Sequence, residues 1–220
     1  MRKRANVVLP VIILYFLLFG YIAEDNSLEL SYSNGEGGEY EISVYSKELA
    51  KDVGEMELFF NAPASRPSKV YIKIYKKLRV LELYGDDTLL GRFRISLGQA
   101  PEGDKSAEGD SRTPEGNYYI CTRNESSKFT LFLGLNYPNT EDAERGLKNH
   151  LISQEAYRRI KAAEDVKQRP PWDTPLGGQV GIHGGGTTSD WTQGCIALSD
   201  KDIILIGEYV TYTTPVQILE

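Results

Sequence analysis

Hydrophobic and polar positions follow three different patterns along this chain. Val7 to Ala23 is almost wholly apolar and lies behind three cations at positions 2–4. Residues 24–67 are polar and rich in Gly, Glu and Ser, with one short helix predicted at 46–53. From residue 68 onward, short runs alternate apolar and polar side chains, which is the period of a β-strand. We therefore divide the chain into an apolar segment at 1–23, a polar spacer at 24–67 and a globular domain at 68–220.

The globular part predicts a mainly β fold. KVYIKIYKKLRVLELY at 69–84 predicts one strand, and a Gly-Asp-Asp turn joins it to a returning strand in LLGRFRISLG, as in a β-hairpin. Further strands are predicted in NYYICTRN, KFTLFLGLNYP, QVGIHGGG, GCIAL and VTYTTPVQILE. Apolar residues recur at helical spacing only in 149–166 and in a shorter run after Ser199. The expected architecture is therefore β-rich with one or two short helices.

Composition and the N-terminus narrow the classes of function. The net charge of -6 argues against a nucleic-acid binder, which would normally be basic. A basic start followed by an apolar run is typical of a secretory signal or an uncleaved membrane anchor, since about 17 residues is the lower limit for a spanning helix. The cations would stay in the cytoplasm. We expect an exported protein, in the periplasm or on the outer face of the cytoplasmic membrane.

The segment GIHGGGTTSDWTQGCIALS holds the residues best suited to chemistry. Cys195 and His183 lie 12 positions apart, and adjacent strands joined by a loop would bring them together. A thiol needs a base to become a nucleophile, and a neutral imidazole accepts its proton near neutral pH. The amides of Gly194 and Cys195 would bind an oxyanion. A core cysteine and a structural histidine are the alternative interpretation, and too few ligands are present for zinc. We expect no metal and no cofactor.

Several motifs in order then resemble one known family. Ile182-His183-Gly184 with Gly194-Cys195-Ile196 is similar to the signature of the YkuD-like L,D-transpeptidase catalytic domain. The stretch from Gly109 to Ile120, GDSRTPEGNYYI, resembles the G-D-x-x-T-P-x-G-x-Y/F-x-I stretch of that family. Asn136 to Asn139 and Leu176 to Gly178 also recur in similar members. The resemblance extends over about 69–220.

This resemblance implies a β-sandwich-like catalytic domain and ping-pong acyl transfer on the tetrapeptide stems of peptidoglycan. By position, Cys195 would be the nucleophile and His183 the base. The Gly184 carbonyl would orient the imidazole, and Gly194 would supply an oxyanion amide. Weaker candidates for substrate contacts are Trp191, Gln193, Asp190 and Arg112. Cys121 is expected in the core, although a pairing with Cys195 stays open, and His150 is expected at the surface.

One departure from the family pattern leaves the second half of the reaction open. Many members carry Ser-His-Gly-Cys and an Arg or Asn two residues later, whereas this chain has Thr192-Gln193-Gly194-Cys195 and then Ala197. We expect an L,D-transpeptidase that transfers an acyl group to an amine, with a wall-attached protein as a further candidate donor or acceptor. The alternatives are hydrolysis by an L,D-carboxypeptidase or amidase, and a non-catalytic wall-binding domain.

Overall fold

Nine strands and three helices make up residues 57–220, the part of the chain that the computed structural model describes. The strands are β1 (Phe59–Phe60), β2 (Val70–Tyr75), β3 (Val80–Gly85), β4 (Thr88–Arg94), β5 (Gly116–Asn124), β6 (Phe132–Leu135), β7 (Gly181–His183), β8 (Ile196–Ala197) and β9 (Pro215–Leu219). The helices are α1 (Thr140–Lys148), α2 (Gln154–Asp165) and α3 (Asp200–Tyr209). The predicted signal or anchor, most of the spacer and the helix at 46–53 lie outside the described residues. Within 57–220, no helix is long and apolar enough to cross a membrane.

All nine strands form one curled sheet in the order β1-β4-β3-β2-β9-β5-β6-β7-β8. β9 lies in the middle, parallel to β2 and antiparallel to β5. Beyond β4, Ser96 pairs with Ala197 of β8, which brings the far ends of the sheet together. The mainly β fold expected from the sequence is confirmed, with three helices.

Strand alternation builds the core inside this curl. On β2, Ile72 and Ile74 point inward, and they oppose Leu83 and Leu81 of β3 in the antiparallel register. All four side chains are fully buried, and burial of each stabilises the fold by about 1.5–3 kcal/mol. The core continues beneath β7 and β8, so the strands that carry the candidate chemistry rest on a packed apolar layer.

The single strand predicted at 69–84 is two strands, β2 and β3, and that prediction was wrong. The chain turns at Lys76–Arg79, where Arg79 adopts a φ of +53°. Lys76 is buried rather than solvated, and its Nζ donates to the Thr113 carbonyl (2.9 Å) and to Glu115 Oε1 (2.7 Å). Apolar residues at positions 70, 72, 74, 78 and 80 keep the two-residue period on both sides of the turn, so the pattern alone did not reveal the break.

The helix predicted at 149–166 is shorter, and a second helix precedes it. α2 begins after Ser153, whose side chain caps the Ala156 amide. α1 was not predicted; it starts from a capping box in which Asn139 and Asp142 each accept the other's backbone N–H. The two helices pack together around Ile160 and Leu176, outside the main core.

Candidate active site

Two short parallel strands place the predicted cysteine and histidine on one face of the sheet. Ile182 pairs with Ile196, and His183 pairs with Ala197. Successive residues of a strand alternate faces, so the two isoleucines turn into the core while His183 and Cys195 share the opposite face as diagonal neighbours. The loop 184–194 spans the separation in sequence. The register therefore brings together the two residues that the sequence suggested.

The His183 ring is held in one orientation. Its Nδ1 lies 2.6 Å from the Gly184 carbonyl oxygen, which can only accept, so Nδ1 carries the proton and Nε2 is left as the basic nitrogen. Phe129 stacks on the ring at 4.5 Å between centroids, and Trp191 meets it edge-on at 5.6 Å. Burial lowers the pKa of His183, against the opposing effect of the Gly184 hydrogen bond. The imidazole is therefore neutral at neutral pH and able to accept a proton.

Cys195 stands half-buried just before β8, with its Sγ 3.5 Å from the Gln179 carbonyl. Burial raises the pKa of its thiol, while the Gly181 amide and the charge of Lys105 act in the opposite direction. A raised thiol pKa beside a lowered imidazole pKa means that both groups are neutral at rest. The arrangement suits a base that takes the proton as the sulfur attacks.

The turn before Cys195 requires glycine at position 194. Gly194 has a φ of +131°, and a Cβ there would lie 2.6 Å from the Arg112 carbonyl oxygen. Its amide donates to Thr192 Oγ1 at 3.1 Å, and the same hydroxyl donates to the Cys195 carbonyl at 2.7 Å. The Gly194 amide thus has a partner within the turn, and its use as an oxyanion donor stays a prediction. The Cys195 amide, in contrast, has no acceptor within residues 57–220.

The Asp190 carboxylate is paired within the protein and is not free. Arg79 donates to it from Nε (3.1 Å to Oδ1) and Nη2 (2.8 Å to Oδ2), and the Leu97 amide donates to Oδ1 at 2.8 Å. These bonds tie the loop 184–194 to the β2–β3 turn. We therefore remove Asp190 from the candidate substrate contacts that the sequence suggested.

The other weak candidates lie around the cysteine in different settings. Trp191 is half-buried, and its Nε1 donates to the Gly186 carbonyl at 3.1 Å. Gln193 and Arg112 are exposed, and their side chains have no hydrogen-bond or ion-pair partner in the described part of the chain. Both are therefore available to a ligand. Ala197, two residues after Cys195, is fully buried.

Three residues of this site were missed by sequence reasoning. Phe129 was placed in a strand and covers the imidazole instead. Lys105 was placed in a polar loop, but its side chain is 4% exposed and packs beside Gly194. Asp200 Oδ1 accepts from the Gly185 amide (3.0 Å) and from Thr130 Oγ1 (2.8 Å), which fixes the glycine loop. These contacts join segments that lie far apart in sequence, so no local sequence pattern predicts them.

The remaining candidates lie apart from this chemistry. Cys121 and Cys195 are both free thiols. Cys121 is half-buried in β5, and burial raises its pKa to about 12, which leaves it an inert side chain. His150 is exposed just after α1.

Comparison with known proteins gives a family and several relatives. Residues 69–218 match the family described as the L,D-transpeptidase catalytic domain, YkuD. YafK of Escherichia coli strain K12 is 34% identical over 92 residues, which is 39% of this chain and 37% of YafK. The chain therefore matches well under two thirds of the length of this curated relative.

Solved structures resemble the chain at low identity. Bd1075 of Bdellovibrio bacteriovorus has a TM-score of 0.46 and 18% identity, covering 74% of this chain and 54% of that one. The Campylobacter jejuni cell shape determining protein Pgp2 has a TM-score of 0.48 and 19% identity in its K307A form, covering 76% and 52%. An L,D-transpeptidase of Xylanimonas cellulosilytica has a TM-score of 0.41 and 14% identity, covering 80% and 70%.

Proposed function

This chain belongs to the L,D-transpeptidase catalytic domain family, and we propose that it is a cysteine acyltransferase that acts on peptidoglycan tetrapeptide stems. The observation that carries the proposal is the shared face of β7 and β8, where His183 has its Nδ1 fixed on the Gly184 carbonyl and Cys195 lies diagonally opposite. Nucleophile, base and orienting group are the three parts that covalent acyl transfer requires.

The first half-reaction forms a thioester. Nε2 of His183 takes the thiol proton while Sγ of Cys195 bonds to the carbonyl carbon that precedes the terminal D-alanine of the stem. The carbonyl electrons move to its oxygen, and the free Cys195 amide donates to that oxyanion. When the intermediate collapses, the C–N bond breaks and the imidazolium returns its proton to the nitrogen of the departing D-alanine.

The second half-reaction releases the enzyme. The amine of a second stem, or of a wall-attached protein, attacks the thioester carbonyl and gives its proton to His183. The C–S bond breaks, and the thiolate takes the proton back from the imidazolium. Exposed Gln193 lies two residues before Cys195, and the Arg112 carbonyl packs against Gly194, so we assign both residues to substrate contact. Trp191 lines the site beside the imidazole.

The same proposal places the enzyme outside the cytoplasmic membrane, where its substrate lies. The basic start and apolar run at 1–23 would act as a signal or anchor, and the polar residues that follow would act as a spacer. Proteolysis of spheroplasts, compared with lysed spheroplasts, tests this topology. An exported catalytic domain should be cleaved in both, whereas a cytoplasmic domain would be cleaved only after lysis.

The test is mass spectrometry of products from purified tetrapeptide muropeptides, with and without an acceptor amine. Transfer predicts a product that has lost D-alanine and gained the acceptor, together with an acyl adduct on Cys195. Cys195→Ala should abolish turnover. Cys121→Ala is the matched control and should keep it, since that thiol lies on β5 away from the site.

The other outcomes select among the alternatives. A tripeptide product that forms in the presence of the acceptor amine without incorporating it would identify a hydrolase. Turnover that survives Cys195→Ala would exclude the assigned nucleophile. Retention on peptidoglycan without any turnover would identify a wall-binding domain instead of an enzyme.

A further inference from the structure

A buried lysine lies next to the candidate nucleophile. Lys105 belongs to the polar loop between β4 and β5, yet its side chain is only 4% exposed. Its Nζ donates to Asp110 Oδ1 at 2.6 Å and to the Ala107 carbonyl at 3.0 Å. An ammonium has three N–H donors, and the third has no acceptor in the described part of the chain. Burying a cation costs free energy of desolvation, and an incomplete set of partners offsets only part of that cost.

The aliphatic stem of the lysine passes the turn that carries the cysteine. Its Cδ lies 3.8 Å from the point that a Cβ on Gly194 would occupy, so the aliphatic stem runs past the residue immediately before Cys195. The positive charge opposes the rise in the pKa of the Cys195 thiol that burial causes. Cations beside a cysteine favour its thiolate in this way.

Asp110 keeps this ammonium in place. Its second oxygen accepts the amides of Ser106 (2.8 Å) and Ala107 (3.1 Å), so the carboxylate is fixed in the loop. Burial alone would raise the pKa of Asp110, but the Lys105 ammonium and the loop amides bring it below its ordinary value. The Asp110 carboxylate is therefore ionised at neutral pH.

We propose that Lys105, held by Asp110, is a positioning residue that stabilises the Cys195 thiolate formed when His183 removes the proton. The inference rests on the proposed function in one respect, that Cys195 is the nucleophile. Two groups then act on the sulfur. The imidazole on β7 takes the proton, and the ammonium from the loop stabilises the negative charge that remains.

The other groups near this pair do not supply the same charge. The Lys105 ammonium lies over the Tyr137 ring, 5.9 Å from its centroid, in a cation–π contact that brings no further charge to the site. His183 is neutral at rest. The Arg112 side chain is exposed, and the Asp190 carboxylate is paired with Arg79. Lys105 is thus the buried cation available to the sulfur within residues 57–220.

The test measures the alkylation rate of Cys195 by iodoacetamide as a function of pH, in full-length protein carrying Cys121→Ala. Lys105→Met should slow alkylation about ten-fold near pH 7 and displace the rate curve to higher pH, because the thiolate loses its cation. Lys105→Arg keeps the charge and should stay within about two-fold of the parent. Lys105→Gln, which is neutral but polar, should behave like the methionine variant. If Lys105→Met does not fold, the comparison of Lys105→Arg with Lys105→Gln tests the proposal.

Lys76→Met is the matched control. Lys76 is a second buried lysine that holds the same loop, through Thr113 and Glu115, so its loss loosens the loop without removing the charge beside Gly194. Its pH curve should not move. Equal displacement in Lys76→Met, or identical curves for the Arg and Gln variants, would overturn the proposal. Alkylation needs no substrate, so this result is separate from the muropeptide assay that tests the proposed reaction.

Discussion

At the scale of single residues, the environment of His183 makes a prediction about pH. Phe129 stacks on the imidazole and helps to exclude water, and burial lowers the pKa of His183 below 6.5. A histidine acts as a base only while neutral, so activity is retained above this pKa and lost as the pH falls through it. Phe129→Ala should raise the pKa of His183 towards its ordinary value, and the acid limb of the rate profile should move to higher pH.

NMR titration of the imidazole signals measures this shift directly. The chain has two histidines, and exposed His150 provides the internal reference signal. Tyr212→Ala removes an exposed aromatic ring elsewhere and is the control; its His183 titration should match the parent. An unchanged His183 titration in Phe129→Ala would show that other groups desolvate the ring.

Whether a site residue could be predicted from the sequence depended on how close in the chain its identifying neighbours lie. Cys195 and His183 could be proposed because rare residue types lie beside glycines in one short segment. The engagement of the Gly194 amide by Thr192 could not be proposed, because it depends on the side-chain rotamer adopted in the turn. Lys105 and Phe129 were missed since each reaches the site from more than 50 residues away in sequence.

At the scale of elements, the Arg79–Asp190 pair predicts coupling between the β2–β3 turn and the loop that precedes Cys195. The contact is bidentate and partly buried, with side chains 30% and 22% exposed. A double-mutant cycle with alanine at both positions should give a coupling energy of about 1–2 kcal/mol in the free energy of unfolding.

The pair Lys161–Asp165 on α2 is the control, because both side chains are about half exposed or more. An exposed i,i+4 pair on a helix should couple by no more than about 0.5 kcal/mol in urea unfolding. Coupling energies of the same size at the two sites would mean that the Arg79 contact does not hold the loop.

Element boundaries were predicted less well than the elements themselves, since the helix predicted from residue 149 begins only after Ser153 and α1 was missed. Ser153 and Ser199 cap α2 and α3 in the described structure, and such caps are visible in a sequence. The break between β2 and β3 was hidden because apolar residues keep the two-residue period on both sides of the turn at Lys76–Arg79. The order of the strands was beyond reach, since pairing across the sheet depends on partners distant in sequence.

At the scale of the whole molecule, the position of β1 predicts where the folded domain starts. This strand lies in the segment assigned from sequence to the spacer, and it pairs with β4. The Phe60 ring packs against Phe93 at 6.3 Å and Tyr209 at 5.7 Å. A fragment of residues 57–220 should therefore be more stable than one of residues 68–220 by about 2 kcal/mol.

Point variants in the full chain test whether the packing of β1 causes this difference in stability. Phe60→Ala should lower the free energy of unfolding substantially, whereas Leu58→Ala, at a side chain that is 44% exposed, should have little effect. Equal stability of the two fragments would place the boundary at residue 68, as the sequence pattern suggested.

The course of synthesis is constrained by where the sheet is joined. β9 follows every other strand in sequence but lies between β2 and β5, and the second junction, Ser96 with Ala197, also uses a late residue. A growing chain can pair β2, β3 and β4 early, but it connects them to the strands of the candidate site only through residues from 192 onward. Such long-range pairing slows folding. The domain therefore completes its fold only after nearly all of it has been translated, so a partly made chain has no assembled thiol and imidazole to react prematurely.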